Sequence, residues 1–217
     1  MRTIARQNIA FAESFDVKVI LAACGTISSN APDIIAANET KTIGVLLPGA
    51  ERLAATGRKK LGVIATKTSI ESGAFQLGVS RFAPDAKITA VACPDFVPMI
   101  ESGHYLPDDP MVQDIVARSL EPLKNVGALL LGCTHYGLIA DAISAYLGKD
   151  VVLVGAADAS AETTARYLRD CDMLASGGGS ESYYTSGSTA DFEALAPIML
   201  GYGLKSAVNH VEPFALD

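Results

Sequence analysis

Short, nearly unbroken apolar runs recur along the chain, separated by stretches in which apolar residues return at helical spacing. A run without polar alternation fits a strand buried on both faces, the signature of a parallel sheet. The pattern predicts strands over 17–24, 42–47, 60–65, 86–92, 128–131, 151–154, 182–185 and 205–210. Helices are predicted over 1–15, 50–56, 97–101, 108–123, 138–147 and 190–200, with another around Ala165, Tyr167 and Leu168. Start signals support several of them. Ser29 to Asp33 combines a capping side chain with Pro32, and Asp108-Asp109-Pro110 places acids and a proline at a helix opening. Pro48-Gly49 reads as a strand terminator, Thr68 with Glu71 as a capping box, Asp158 or Ser160 as the cap of the helix around Tyr167, and Ser188 as the cap of the 190–200 helix. Strand and helix alternate almost throughout, which predicts an α/β fold with mainly parallel sheets flanked by helices.

Two of the apolar runs end in the same way. Ala128 to Leu131 stops at Gly132-Cys133-Thr134-His135-Tyr136, and Val17 to Ala23 stops at Cys24-Gly25-Thr26. The carboxyl end of a strand in an open α/β sheet is where ligands bind. A lone cysteine there is most simply an inert buried thiol. Two copies about half a chain apart instead predict two similar lobes presenting thiols to a shared cleft.

Composition narrows the chemistry. The 217 residues are 49% hydrophobic, enough to fill a sizeable core. A net charge of -7, with no basic cluster denser than Arg58-Lys59-Lys60, argues against nucleic acid as a partner. No apolar run reaches the roughly 20 residues of a membrane span, and the amino terminus lacks the apolar core of a signal peptide. Cys24, Cys93, Cys133 and Cys171 lie far apart without C-x-x-C spacing. That argues against a disulfide framework or a zinc site and suits a reducing, cytoplasmic location; no metal is expected.

A thiolate can act as nucleophile, ligand or base. A Cys-His-Asn hydrolase would need one cysteine and would leave the second motif unexplained, and redox chemistry would want the pair close in sequence or space. Thiols entering a cleft from opposite sides suit removal of a proton from one face of a carbon and delivery to the other, which is two-base racemisation.

Beyond the two cysteine motifs, the chain carries in order Pro48-Gly49-Ala50, Gly62 to Thr66 with Ser72-Gly73-Ala74-Phe75, Ala92-Cys93-Pro94 with Phe96-Val97-Pro98, and Tyr184-Thr185-Ser186-Gly187 followed by Phe192 and Leu195. In these motifs and their order it resembles the glutamate racemases of the aspartate/glutamate racemase superfamily. The resemblance implies cofactor-independent interconversion of L- and D-glutamate, supplying D-glutamate for peptidoglycan, with glutamate as the small-molecule partner and a homodimer left open. It implies Cys24 as the acid-base group for the D-enantiomer and Cys133 for the L-enantiomer, with His135 supporting Cys133. Gly25, Thr26, Thr134 and His135 would contact substrate. The family fold implies a first lobe of residues 1–46 plus 155–217, a second of 47–154, and an active site between them.

The chain also departs from the family pattern. The family's Asp-Ser-Gly and Pro-Tyr-Gly segments have no counterpart in it, so the first lobe is expected to be incomplete at its amino-terminal side. Gly25 stands where the family has asparagine, Gly137 where it usually has proline, and Gly155-Ala156 where it commonly has Asp-Ser. Two alternatives follow: an amino-acid-binding or regulatory relative that does not turn over, and a racemase acting on aspartate or another amino acid. For single residues, Thr26 and Thr134 could equally cap helix starts. Cys93 and Cys171 read as core or surface thiols, His104 and His210 have no evident partner, and Glu101, near a family acid, reads as a solvated carboxylate.

Overall fold

The computed structural model describes residues 1–215. Helix α1 (Arg2–Glu13) buries Ala5 and Ile9, four residues apart on one face. It is followed by β1 (Ile20–Ala22), α2 (Gly25–Asn30), α3 (Pro32–Ala37) and β2 (Thr42–Gly44), and the two strands pair in parallel with Leu21 beside Ile43. Helix α4 (Leu46–Ala55) leads into β3 (Lys60–Ala65), α5 (Lys67–Glu71), α6 (Ala74–Phe82), β4 (Lys87–Ala92), α7 (Phe96–Glu101) and α8 (Pro110–Leu120). Then come β5 (Ala128–Leu131), a turn of 3-10 helix (Thr134–Ile139), α9 (Ala140–Leu147), β6 (Val152–Gly155) and α10 (Ala156–Asp170). β7 (Tyr183–Thr185) and β8 (Val208–His210), separated by α11 (Thr189–Leu200), form a further parallel pair.

Strands β3 to β6 make a parallel sheet in the order β4-β3-β5-β6. The chain winds to one side of β3 and then returns to the other, so the winding direction reverses between β3 and β5. Crevices beyond the carboxyl ends of strands at such a reversal are where α/β sheets bind ligands. Cys133 follows β5 at that point, and Thr66 follows β3.

The leucine run of β5 is continuous because both its faces are covered. Leu129 and Leu131 pack with Ile64 against Phe96, Val112, Val116 and Tyr136, whereas Ala128 and Leu130 pack with Val63 against Leu53, Phe75 and Val79. Successive side chains on a strand point to opposite faces, so helices α7, α8 and α9 and helices α4, α6 and α10 each claim alternate residues.

Four local expectations are corrected. The 42–47 run is not one strand: β2 stops at Gly44 and α4 begins at Leu46, running through Pro48-Gly49. Proline costs no hydrogen bond in a first helical turn, and a Cβ on Gly49 would come 3.0 Å from Leu130 and 3.2 Å from Ala156, so this glycine serves close helix-sheet packing. The helix expected from Ser29 is preceded by α2, which starts as soon as Cys24 has left the strand. Helix α10 begins at Ala156, so Asp158 and Ser160 lie inside it, and α5 begins at Lys67 after Thr66, so Thr68 is not its cap. Asp109 and Ser188 do cap α8 and α11, accepting from the Met111 and Asp191 amides. None of the described helices is long and apolar enough to cross a membrane.

Candidate active site

The sheet delivers Cys133 through a constrained strand end. The Gly132 amide donates to the Ile64 carbonyl at 2.7 Å, and a Cβ on Gly132 would stand 2.8 Å from that same oxygen. Only glycine fits between β3 and Phe75 at this point. Cys133 then takes the extended N-cap posture (φ -125°, ψ 137°) before the 3-10 turn. Cys24, leaving β1, takes nearly the same posture (φ -127°, ψ 116°) before α2. The cysteines themselves therefore occupy the cap positions, so neither Thr26 nor Thr134 is the capping residue. Tyr136 fixes the Cys133 turn from below, donating its hydroxyl to the Cys93 carbonyl at 3.0 Å and packing edge-on to Phe96.

The two cysteine segments meet at Gly25. This residue is buried, and a Cβ built on it would lie 2.1 Å from the Gly132 carbonyl oxygen. Beside that backbone contact, the Thr26 hydroxyl lies 3.0 Å from that of Thr66, which in turn lies 2.9 Å from Ser69; Ser69 also reaches Thr26 at 3.4 Å. Ser69 is fully buried, so its hydroxyl depends on those of half-buried Thr66 and Thr26 for partners in the seam between α2 and α5. The sequence pattern points to Thr68 as a capping residue, carries no signal for Ser69, and includes Thr66 only as the end of the Gly62 to Thr66 motif.

Electrostatics separates the two thiols. Burial pushes the Cys133 thiol up to about 11, the charges of Cys24 and Glu101 push it the same way, and a hydrogen bond from the His135 backbone opposes them. Cys133 thus rests as a thiol at neutral pH. Cys24 is exposed. Iodoacetamide at neutral pH is expected to label exposed Cys24 and Cys171 well before Cys133, with Cys133 labelling rising about tenfold per pH unit until it titrates. Peptide mapping by mass spectrometry checks this; equal labelling of Cys24 and Cys133 at neutral pH would contradict a half-buried Cys133 that rests as a thiol.

His135 and Glu101 complete the Cys133 side. The His135 ring presents Nδ1 to Cys133 Sγ at 3.8 Å and Nε2 to Glu101 Oε1 at 3.1 Å. A neutral imidazole that donates from Nε2 to the carboxylate leaves its Nδ1 lone pair facing the thiol. Glu101 is therefore not a free solvated carboxylate, as its sequence position suggested. His104 and His210 also have partners: His104 Nδ1 lies 2.6 Å from Asp109 Oδ2, and His210 contacts the Gly187 carbonyl and Glu212. Cys93 is buried and its thiol is pushed up to about 12 by burial, which suits a core role. Among the described residues no cluster of three or more histidine, cysteine and carboxylate side chains is gathered as a metal site. A groove of about 880 Å³, lined by residues such as Ile35, Leu46, Leu77 and Tyr167, lies elsewhere and includes neither cysteine, so the chemistry is located by the thiols and not by cavity size.

No protein-family model matches the chain. It is 34% identical over 211 residues to the glutamate racemase of Lactiplantibacillus plantarum, a match covering 93% of this chain and 76% of that one. Its fold superposes on a glutamate racemase isoform from Bacillus anthracis with a TM-score of 0.89 at 29% identity, covering 99% of this chain and 81% of that structure. The glutamate racemase of Francisella tularensis, solved with D-glutamate, gives a TM-score of 0.85 at 28% identity over 100% of this chain and 80% of that structure. The parallel sheets flanked by helices match the fold of these two solved structures, and the two-lobe arrangement fits them. The chain belongs to the glutamate racemase family.

Proposed function

We propose that this protein racemises glutamate by two-base chemistry, without a cofactor, between a first lobe of residues 1–46 plus 155–217 and a second of 47–154. The observation that carries the reading is the matched N-cap posture of Cys24 and Cys133, with their segments joined at the Gly25–Gly132 contact. Starting from L-glutamate, the Cys133 thiol first passes its proton to His135 Nδ1, and Glu101 steadies the imidazolium that forms. The Cys133 thiolate then takes the α-proton, the bonding pair moves into the α-carboxylate, and the Cys24 thiol delivers a proton to the opposite face. The reverse direction exchanges these roles, with Cys24 removing the proton of D-glutamate. Thr26 and Thr134, with the Gly25 backbone amide, hold the substrate carboxylate, and His135 lies against the substrate beside Cys133. The Francisella relative carries D-glutamate in its structure, which supports glutamate as the substrate here. The D-glutamate formed would supply peptidoglycan synthesis.

Circular dichroism of the purified protein with each glutamate enantiomer tests the proposal. Both solutions are expected to lose optical activity and converge. If neither changes while calorimetry still registers glutamate binding, the chain is a binder and the racemase reading fails; L- and D-aspartate run in parallel test substrate choice. Glu101→Gln is expected to lower kcat about tenfold or more by withdrawing the charge that supports His135, with KM little changed. An unaltered kcat would remove Glu101 from the chemistry.

A further inference from the structure

The connection between α7 and α8 carries a feature that the chemistry above does not use. Glu101 is the last residue of α7, a helix of only six residues, and its carboxylate is 44% exposed. A side chain in that position is free to swing unless the helix end is held. The end is closed by a Schellman arrangement: the Gly103 amide donates to the Ile100 carbonyl at 3.0 Å, and the His104 amide donates to the Met99 carbonyl at 3.1 Å. Gly103 has φ +93°, a left-handed conformation that glycine adopts at little cost.

The His104 backbone is thereby part of the α7 cap, and its side chain reaches forward to α8. His104 Nδ1 lies 2.6 Å from Asp109 Oδ2, while the other carboxylate oxygen of Asp109 accepts from the Met111 amide at 2.8 Å as the α8 N-cap. Helix α8 is a firm reference, since Val112, Val116 and Leu120 are fully or almost fully buried. Arg118 of α8 also pairs with Asp95 at the head of α7 at 3.6 Å. Both ends of the short helix that carries Glu101 are thus tied to α8.

We propose that His104 and Asp109 form a clasp that positions Glu101 against His135, so that both are positioning residues for the Cys133 half of the reaction. The inference rests on the racemase reading for its catalytic consequence, but the positioning can be read without turnover. With three histidines in the chain, ring nitrogens can be assigned by single replacements and followed by long-range 1H–15N NMR at fixed neutral pH. Wild-type His135 is expected to show the pattern of an Nε2-protonated ring. His104→Ala should move it toward the average of the two tautomers, as should Glu101→Ala, which removes the acceptor, with His210 unmoved as the reference for an intact fold. His104→Asn, which sets an amide N–H where Nδ1 stands, should keep the wild-type pattern. Should His104→Ala not fold, Asp109→Ser retains a capping oxygen for Met111, removes the carboxylate, and should give the same change at His135.

In turnover, His104→Ala is expected to lower kcat about fivefold with KM within about twofold, and to have no further effect in a Glu101→Gln background. A wild-type His135 pattern in His104→Ala, or an equal kcat loss in both backgrounds, would overturn the clasp. So would a Glu101→Ala protein whose His135 pattern is unchanged, because there would be nothing to position. An inactive wild-type protein would remove the racemase reading alone, since the NMR pattern would still decide the clasp.

Discussion

Cys133→Ala is expected to stop α-proton exchange from L-glutamate in deuterated solvent and to lower racemisation by about 1,000-fold or more. The reason is positional. Cys133 sits at the carboxyl end of β5, at the reversal of sheet winding, with His135 and Glu101 arranged behind its sulfur. His135, 3.8 Å from that sulfur, takes the Cys133 proton in this account and leaves removal of the substrate proton to the thiolate. Exchange from D-glutamate should persist, because Cys24 can take that proton and return a deuteron to the same face. Cys24→Ala should give the mirror result. Proton NMR of each enantiomer reads both outcomes, and unchanged exchange from L-glutamate in Cys133→Ala would rule this residue out as the base.

Gly25→Asn, which installs the residue usual in the family, is expected to damage this protein. The added Cβ would meet the Gly132 carbonyl oxygen at 2.1 Å, and that oxygen belongs to a backbone held by Ile64 on the neighbouring strand. A flexible side chain can rotate aside; a strand end fixed this way cannot, so α2 and the Cys133 turn must separate. Overpacking of this kind costs about 1–3 kcal/mol, and a shift of about 1 Å between reacting groups costs on the order of 100-fold in rate. Thermal unfolding and kcat together check this. A Gly25→Asn protein with an unchanged melting temperature and a higher kcat would mean that the cleft works in a wider conformation than this one.

The parts of the fold that were legible in sequence are those where one residue type has one physical reading. Both cysteine strands announced themselves as apolar runs ending abruptly, and Asp109 and Ser188 were recognisable caps because their carboxylate or hydroxyl oxygens precede helical spacing. Pro48-Gly49 misled because the same pair can end a strand or sit in a first helical turn, and the choice depends on Leu130 and Ala156 packing against Gly49 from distant parts of the chain. The site shows the same division. Cys24, Cys133 and His135 lie within their own motifs, whereas Glu101 reaches His135 across 34 positions and Thr26 reaches Thr66 across 40. Such partners are set by sheet order, which periodicity along the chain does not encode. Gly25 was visible as a departure from the family, but its reason, a backbone contact with Gly132, exists only in three dimensions.

The central claim is that two different thiols serve the two faces of one carbon. It is tested most directly by letting the protein act on L-glutamate in deuterium oxide and reading the α-position of both enantiomers at low conversion. The account predicts D-glutamate that carries deuterium at Cα from the first turnovers, delivered by Cys24, while the L-glutamate pool gains deuterium more slowly, by return from an exchanged Cys133 thiol. D-glutamate retaining the original protium would mean that a single group carries the proton from one face to the other, and would contradict it.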